Sequence, residues 1–154
     1  MLTEEEIHEI TEEINRFPVK KAACIEALKV IQKHRRWVSD ESIEELAEML
    51  EMSPGEIDDV ATFYNLVFRK PVGRHVILIC DSVSCYIMGY QQILQHLKVK
   101  LGIVYGETTR DDRFTLLPIP CLGTCDHAPA FMIDEDLHRD LTPENIDDIL
   151  TKYK

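Results

Sequence analysis

Basic side chains are scarce in this chain. Its 154 residues hold 17 Lys and Arg against 28 Asp and Glu, a formal net charge of -11. Phosphate backbones are gripped by basic faces, so this balance argues against nucleic acid as the main partner. Glycine is sparse as well, at 6 residues, and neither a Gly-x-Gly-x-x-Gly loop nor a Walker loop occurs. Nucleotide, if used at all, has to be bound by a partner. The longest apolar candidate, His75-Val-Ile-Leu-Ile-Cys80, falls far short of the roughly 18 residues of a membrane span. The opening Met-Leu-Thr-Glu-Glu-Glu is acidic where a signal peptide needs positive charge and then an apolar stretch. The expectation is a soluble, intracellular protein. At 45% hydrophobic residues it can bury a core, as one medium domain or two small ones.

The pattern divides near Lys70-Pro71-Val72-Gly73. Residues 1–70 read as a bundle of short helices. Thr3-x-x-Glu6 is a capping box, in which hydroxyl and carboxylate each satisfy an orphan backbone N–H, and Ile7, Ile10 and Ile14 follow at helical spacing. A second helix is expected from about Lys20 to Arg35, with Ala23, Ala27, Leu28 and Ile31 inward. Ser39 or Asp40 caps a third that carries Ile43, Leu46, Ala47 and Leu50. Ser53-Pro-Gly-Glu56 opens a fourth, with Pro at the first helical position. Residues 71–154 read as an α/β domain in the order β-α-β-β-β-α. Its expected parts are a buried strand from His75 to Cys80, a helix from Ile87 to near Gly102, and a strand from Arg113 to Ile119. A hairpin spans Ala130 to Arg139, and a last helix starts at Thr142-Pro-Glu with Ile146, Ile149 and Leu150 inward. This is an arrangement of the thioredoxin type.

Cysteine carries the chemistry. Of five, four form two close pairs, Cys80-Asp-Ser-Val-Ser-Cys85 and Cys121-Leu-Gly-Thr-Cys125. An odd count in a reducing compartment disfavours a disulfide framework. Each pair follows a strand, and loops leaving neighbouring strands at their carboxyl ends meet at one edge of an open sheet. Four thiolates at one place suit zinc or an iron–sulfur cluster. Zinc ribbons use two-residue spacers, whereas the spacers here are four and three residues. The wider loops favour a two-iron cluster, with Gly123 letting the main chain approach. A thiol–disulfide enzyme would want Cys-x-x-Cys after the first strand, and the second pair would have no use in it.

With Gly89-Tyr90 after the first pair, and Asp126 and Pro129 after the second, these segments resemble the thioredoxin-like [2Fe-2S] ferredoxins. Among them the match is to the small two-iron subunits of NADH-quinone oxidoreductase, bacterial complex I. Val60-Ala-Thr-Phe-Tyr64, Pro71-Val-Gly-Arg-His-Val76, Arg113-Phe-Thr-Leu-Leu-Pro118 and Met132-Ile-Asp-Glu-Asp136 carry the resemblance over almost the whole chain. It implies that Cys80, Cys85, Cys121 and Cys125 ligate one [2Fe-2S] cluster. It implies that the chain belongs to an NADH dehydrogenase complex without a complete active site of its own. The cluster would exchange electrons with FMN on the flavin- and NADH-binding subunit, and the helical half would dock on that partner. The complex would lie on the cytoplasmic side, peripheral to the inner membrane. Related small subunits serve NAD-linked formate dehydrogenases and hydrogenases. A zinc-stabilised interaction module is the alternative from another class.

Other residues carry simpler readings. Cys24 sits among Ala23, Ala27 and Leu28 and behaves as a small core hydrophobe. His127, two residues past a candidate ligand, is expected beside the site or on the surface, since four thiolates already fill the shell. Asp134-Glu-Asp136 is a solvated turn or partner contact, lacking the register of a calcium loop.

Overall fold

In a computed structural model describing residues 1–154, the chain forms two units, Met1–Pro71 and Val72–Lys154. Capping chemistry sets the boundaries in the first. Helix α1 (Glu4–Asn15) starts with Thr3 and Glu6 in the reciprocal capping box. Helix α3 (Asp40–Leu50) is capped by Ser39, and α4 (Pro54–Phe63) by the Ser53–Glu56 box with Pro54 in its first turn. Helix α2 runs over Cys24–Arg35, shorter than the expected Lys20–Arg35. Residues Lys20–Ala23 form a 3-10 turn instead. Val19 offers no capping side chain there, so the orphan N–H groups are met by tighter bonds such as Ala22 N–H to the Val19 carbonyl. Ile10, Leu28, Ile31, Leu46, Leu50 and Ile57 close the core of this unit. Cys24 lies in it, 4% exposed, and burial pushes its thiol above the ordinary range.

The second unit is built on one central strand. Strand β1 (His75–Cys80) runs parallel to β2 (Phe114–Ile119) and antiparallel to β3 (Phe131–Ile133), which pairs with β4 (Asp136–His138). The sheet order is β2-β1-β3-β4. Pro118 is thus accommodated on an edge strand, where one side of the backbone is free of ladder bonds. Ile77 and Ile79 project from β1 into a core shared with Ile93 and Leu97 of α6 (Tyr90–Leu101) and Ile146 and Ile149 of α7 (Pro143–Leu150). Asp147 ties the two helices together by accepting from His96 and Lys100, each at 2.9 Å.

The helix predicted from Ile87 to Gly102 is not continuous. It is broken into α5 (Val83–Ile87) and α6. Gly89 stands between them at φ +92, a left-handed backbone that ends one helix and cannot continue it. Ile87 is consequently 75% exposed and takes no part in the core.

Candidate functional site

Parallel pairing of β1 with β2 decides where the cysteines meet. The register sets Cys80 opposite Ile119, so the chain leaving β2 reaches Pro120 and Cys121 beside the end of β1. The Cys80 Sγ lies 3.9 Å from the Pro120 carbonyl oxygen. The Asp81 N–H donates to the Ile119 carbonyl at 3.2 Å, and the Cys80 N–H to the Ala130 carbonyl at 3.2 Å. Three segments are therefore stitched together at one sheet edge.

Two of the thiols are buried and two face solvent. Cys80 and Cys85 are 3% and 2% exposed, whereas Cys121 and Cys125 are exposed. Cys85 sits within α5, directly after the β1 loop. Its thiol is pushed up to about 11 by burial first, then by the neighbouring Cys80. The nearby Ala130 backbone opposes this in part, and Cys125 also lies within electrostatic reach. A buried thiol of that kind stays protonated in the free chain and needs a cation to become a ligand.

The second pair sits on a compact loop. Cys121 Sγ and Cys125 Sγ are 3.9 Å apart, and the Gly123 N–H donates to the Cys121 sulfur at 3.3 Å. Gly123 has φ +74 with open space where a Cβ would stand, so backbone conformation and not crowding requires glycine here. Cys125 opens a short 3-10 turn, Cys125–His127. His127 points its Nδ1 at Asp140, 2.9 Å away, and is 45% exposed. It is held beside the site.

The donor set fits a two-iron cluster. The thiols come as two pairs, Cys80 with Cys85 and Cys121 with Cys125, brought to one end of the sheet. A mononuclear zinc site gathers all four donors around one ion, whereas a two-iron cluster takes a pair of thiolates on each iron. Buried on one side and open on the other, the site would shield a cluster from water while leaving an edge for electron exchange. The main-chain donor from Gly123 carries no signature in the sequence, because an amide's direction depends on the fold around it.

Comparison with known proteins agrees with this geometry. The profile of the thioredoxin-like [2Fe-2S] ferredoxins matches residues 10–154. The E subunit of the NADH-quinone oxidoreductase of Buchnera aphidicola subsp. Acyrthosiphon pisum is 51% identical, covering 99% of this chain and 94% of the relative. Its counterpart of the same designation in Escherichia coli strain K12 is 52% identical over 94% of this chain and 87% of its own length. Among solved structures, an NAD+-reducing [NiFe]-hydrogenase in its air-oxidised state superposes with a TM-score of 0.69 at 29% identity. That match covers 81% of this chain but only 22% of the hydrogenase chain. From the paired cysteines, the sheet that unites them and these matches, the chain belongs to the thioredoxin-like [2Fe-2S] ferredoxin family.

Proposed function

We propose that this chain is the electron-transfer subunit of an NADH-quinone oxidoreductase. In this reading Cys80, Cys85, Cys121 and Cys125 hold one [2Fe-2S] cluster that exchanges electrons with FMN on the flavin- and NADH-binding partner subunit. The observation that carries it is the convergence of both cysteine pairs at the carboxyl end of the parallel β1–β2 pair. When bound, the cluster supplies one-electron, outer-sphere chemistry. The chain's own residues position it, donate to the Cys121 sulfur from the Gly123 N–H, and exclude water on the buried Cys80–Cys85 side. They transfer no group and hold no catalytic proton.

A partner surface adjoins the site. Val83, Tyr86, Ile87 and Met88, on and just after the helix that carries Cys85, are each more than half exposed. Clustered apolar exposure of this kind supports contact with another protein. In the helical unit, Val19 and Phe63 are also largely exposed, which supports docking as the role of residues 1–70. No helix is long and apolar enough to cross a membrane, in keeping with a subunit peripheral to the cytoplasmic face of the inner membrane. The likeness to the NAD+-reducing hydrogenase chain favours a second host, the equivalent subunit of an NAD-linked hydrogenase.

Anaerobic purification with iron, acid-labile sulfide and zinc analysis tests the cofactor. The expected result is iron and sulfide in equal amounts, a reddish-brown oxidised protein and an EPR signal on reduction. Serine at each of Cys80, Cys85, Cys121 and Cys125 should impair the cluster, and Cys24→Ser should leave it intact. Zinc without sulfide would overturn the electron-transfer reading. Co-purification from the native source, with the attached flavin subunit identified, distinguishes the two hosts.

A further inference from the structure

Cys121 and Cys125 stand apart from the other cysteines in what can reach them. Both face solvent, whereas Cys80 and Cys85 are 3% and 2% exposed and Cys24 lies in the helical core at 4%. The exposed thiols are also close neighbours, with their Sγ atoms 3.9 Å apart.

Main-chain bonds hold them together. Ahead of Cys121, the Asp81 N–H donates to the Ile119 carbonyl at 3.2 Å. Inside the loop, the Gly123 N–H donates to the Cys121 sulfur at 3.3 Å. Around Cys125, the His127 N–H donates to the Thr124 carbonyl at 3.0 Å, and the Asp140 N–H to the His127 carbonyl at 2.9 Å. The two sulfurs are thus gathered by the fold, and no ion is needed to bring them near. A disulfide sets its sulfurs about 2 Å apart, so closing the gap takes a movement of about 2 Å. Gly123 lies between the two cysteines with open space on its Cβ side, which leaves the loop room to make it.

Thiol–disulfide exchange requires a sulfur that a reagent can approach. Building on the assignment of the four cysteines as cluster ligands, we propose that Cys121 and Cys125 form a reversible disulfide in the chain that awaits its cluster. Cys80 and Cys85 stay thiols because they are buried. The oxidant is a small disulfide of the glutathione class. One exposed cysteine sulfur attacks it, breaks its S–S bond and expels one small thiolate. The second cysteine sulfur then attacks the first and expels the other. Two protein thiols are oxidised by two electrons, the small disulfide is reduced to two thiols, and the two protons pass to these products. While joined, the pair offers no thiolate to iron, so the bond gates cluster loading. One reduction restores all four donors, since the buried half of the set was never oxidised.

The test uses the full-length protein, stripped of metal and sulfide anaerobically and incubated with glutathione disulfide. It is then alkylated in denaturant and digested with trypsin. Cys80 and Cys85 fall together in peptide 75–98, and Cys121 and Cys125 in peptide 114–139. The expected result is a 114–139 peptide without alkyl groups and lighter by two hydrogens, beside a doubly alkylated 75–98 peptide. Ferrous iron and sulfide should then give almost no cluster absorbance until dithiothreitol is added, and full absorbance afterwards. In Cys121→Ser the internal bond should vanish, leaving a glutathione adduct on Cys125. A bond within 75–98, a link between the two peptides, or full alkylation of 114–139 overturns the proposal. Equal cluster loading with and without dithiothreitol overturns the gate. If the disulfide forms as expected but the reduced chain takes up zinc and no sulfide, the cluster assignment fails while the thiol pair stands.

Discussion

Replacing Arg35 by Met should expose how the helical unit is held together at neutral pH. Glu6 is 1% exposed, yet it is ionised. Its carboxylate accepts from Arg35 Nε at 2.5 Å, from Arg35 Nη2 at 2.6 Å and from the Thr3 N–H at 2.7 Å. The Arg35 bonds, acting against burial, hold its pKa at about 2 instead of 4.5. Each pKa unit of separation corresponds to about 1.4 kcal/mol, so the ionised pair contributes about 3 kcal/mol to folding. Because the folded pKa is depressed, this contribution is complete above pH 4.5 and is lost as pH falls toward 2. In Arg35→Met the buried carboxylate loses its cation, and its pKa rises instead of falling. The variant should then be about 3 to 5 kcal/mol less stable at pH 7. The deficit should shrink by about 1 to 2 kcal/mol on going to pH 4, where Glu6 enters the folded state neutral in the variant. Arg35 also donates to the Met1 carbonyl and the Ser42 hydroxyl, and those losses do not vary with pH. Urea unfolding followed by far-UV circular dichroism at both pH values, with cluster content matched, gives the two deficits. Equal deficits at pH 7 and pH 4 would refute the argument, since only the carboxylate's ionisation links them.

Three further substitutions separate backbone, packing and thiol effects. Gly123→Ala meets open space but keeps φ +74, so its cost is the left-handed backbone of about 1 to 2 kcal/mol. Iron release to a chelator should quicken while the urea midpoint stays nearly constant; unchanged release would show that the loop relaxes. Leu97→Ala empties a fully buried position between α6 and the sheet, and should cost about 2 to 5 kcal/mol by urea unfolding. Cys24→Ser places a hydroxyl in the helical core at a position 4% exposed. It should destabilise by about 1 to 3 kcal/mol with full iron and sulfide content, whereas loss of iron would mean that Cys24 takes part in the site.

Much of the architecture is legible because it is written in local rules. Thr3–Glu6 and Ser53–Glu56 satisfy their helix N-termini within four residues of chain, so their boxes are readable from spacing. The run His75–Cys80 reads as one strand because it is apolar throughout, and it is the central strand of the sheet. The break at Gly89 is hidden because apolar periodicity passes through it, and a positive φ leaves no mark on periodicity. The 3-10 turn at Lys20–Ala23 is hidden for a related reason, since its apolar pattern matches that of the helix it precedes.

By itself the sequence determined the kind of chemistry: four paired cysteines among five, on wide spacers, in an acidic chain without nucleotide loops. Tertiary structure decided how those thiols are presented. Parallel pairing of β1 and β2 brings the pairs to one edge, buries Cys80 and Cys85 and leaves Cys121 and Cys125 open. It also directs the Gly123 amide at the Cys121 sulfur and shuts the Tyr105 hydroxyl away from solvent. Ligand identity is a property of side chains and their spacing along the chain. Burial, amide direction and local field come from segments far apart in sequence, and only the folded sheet sets them side by side.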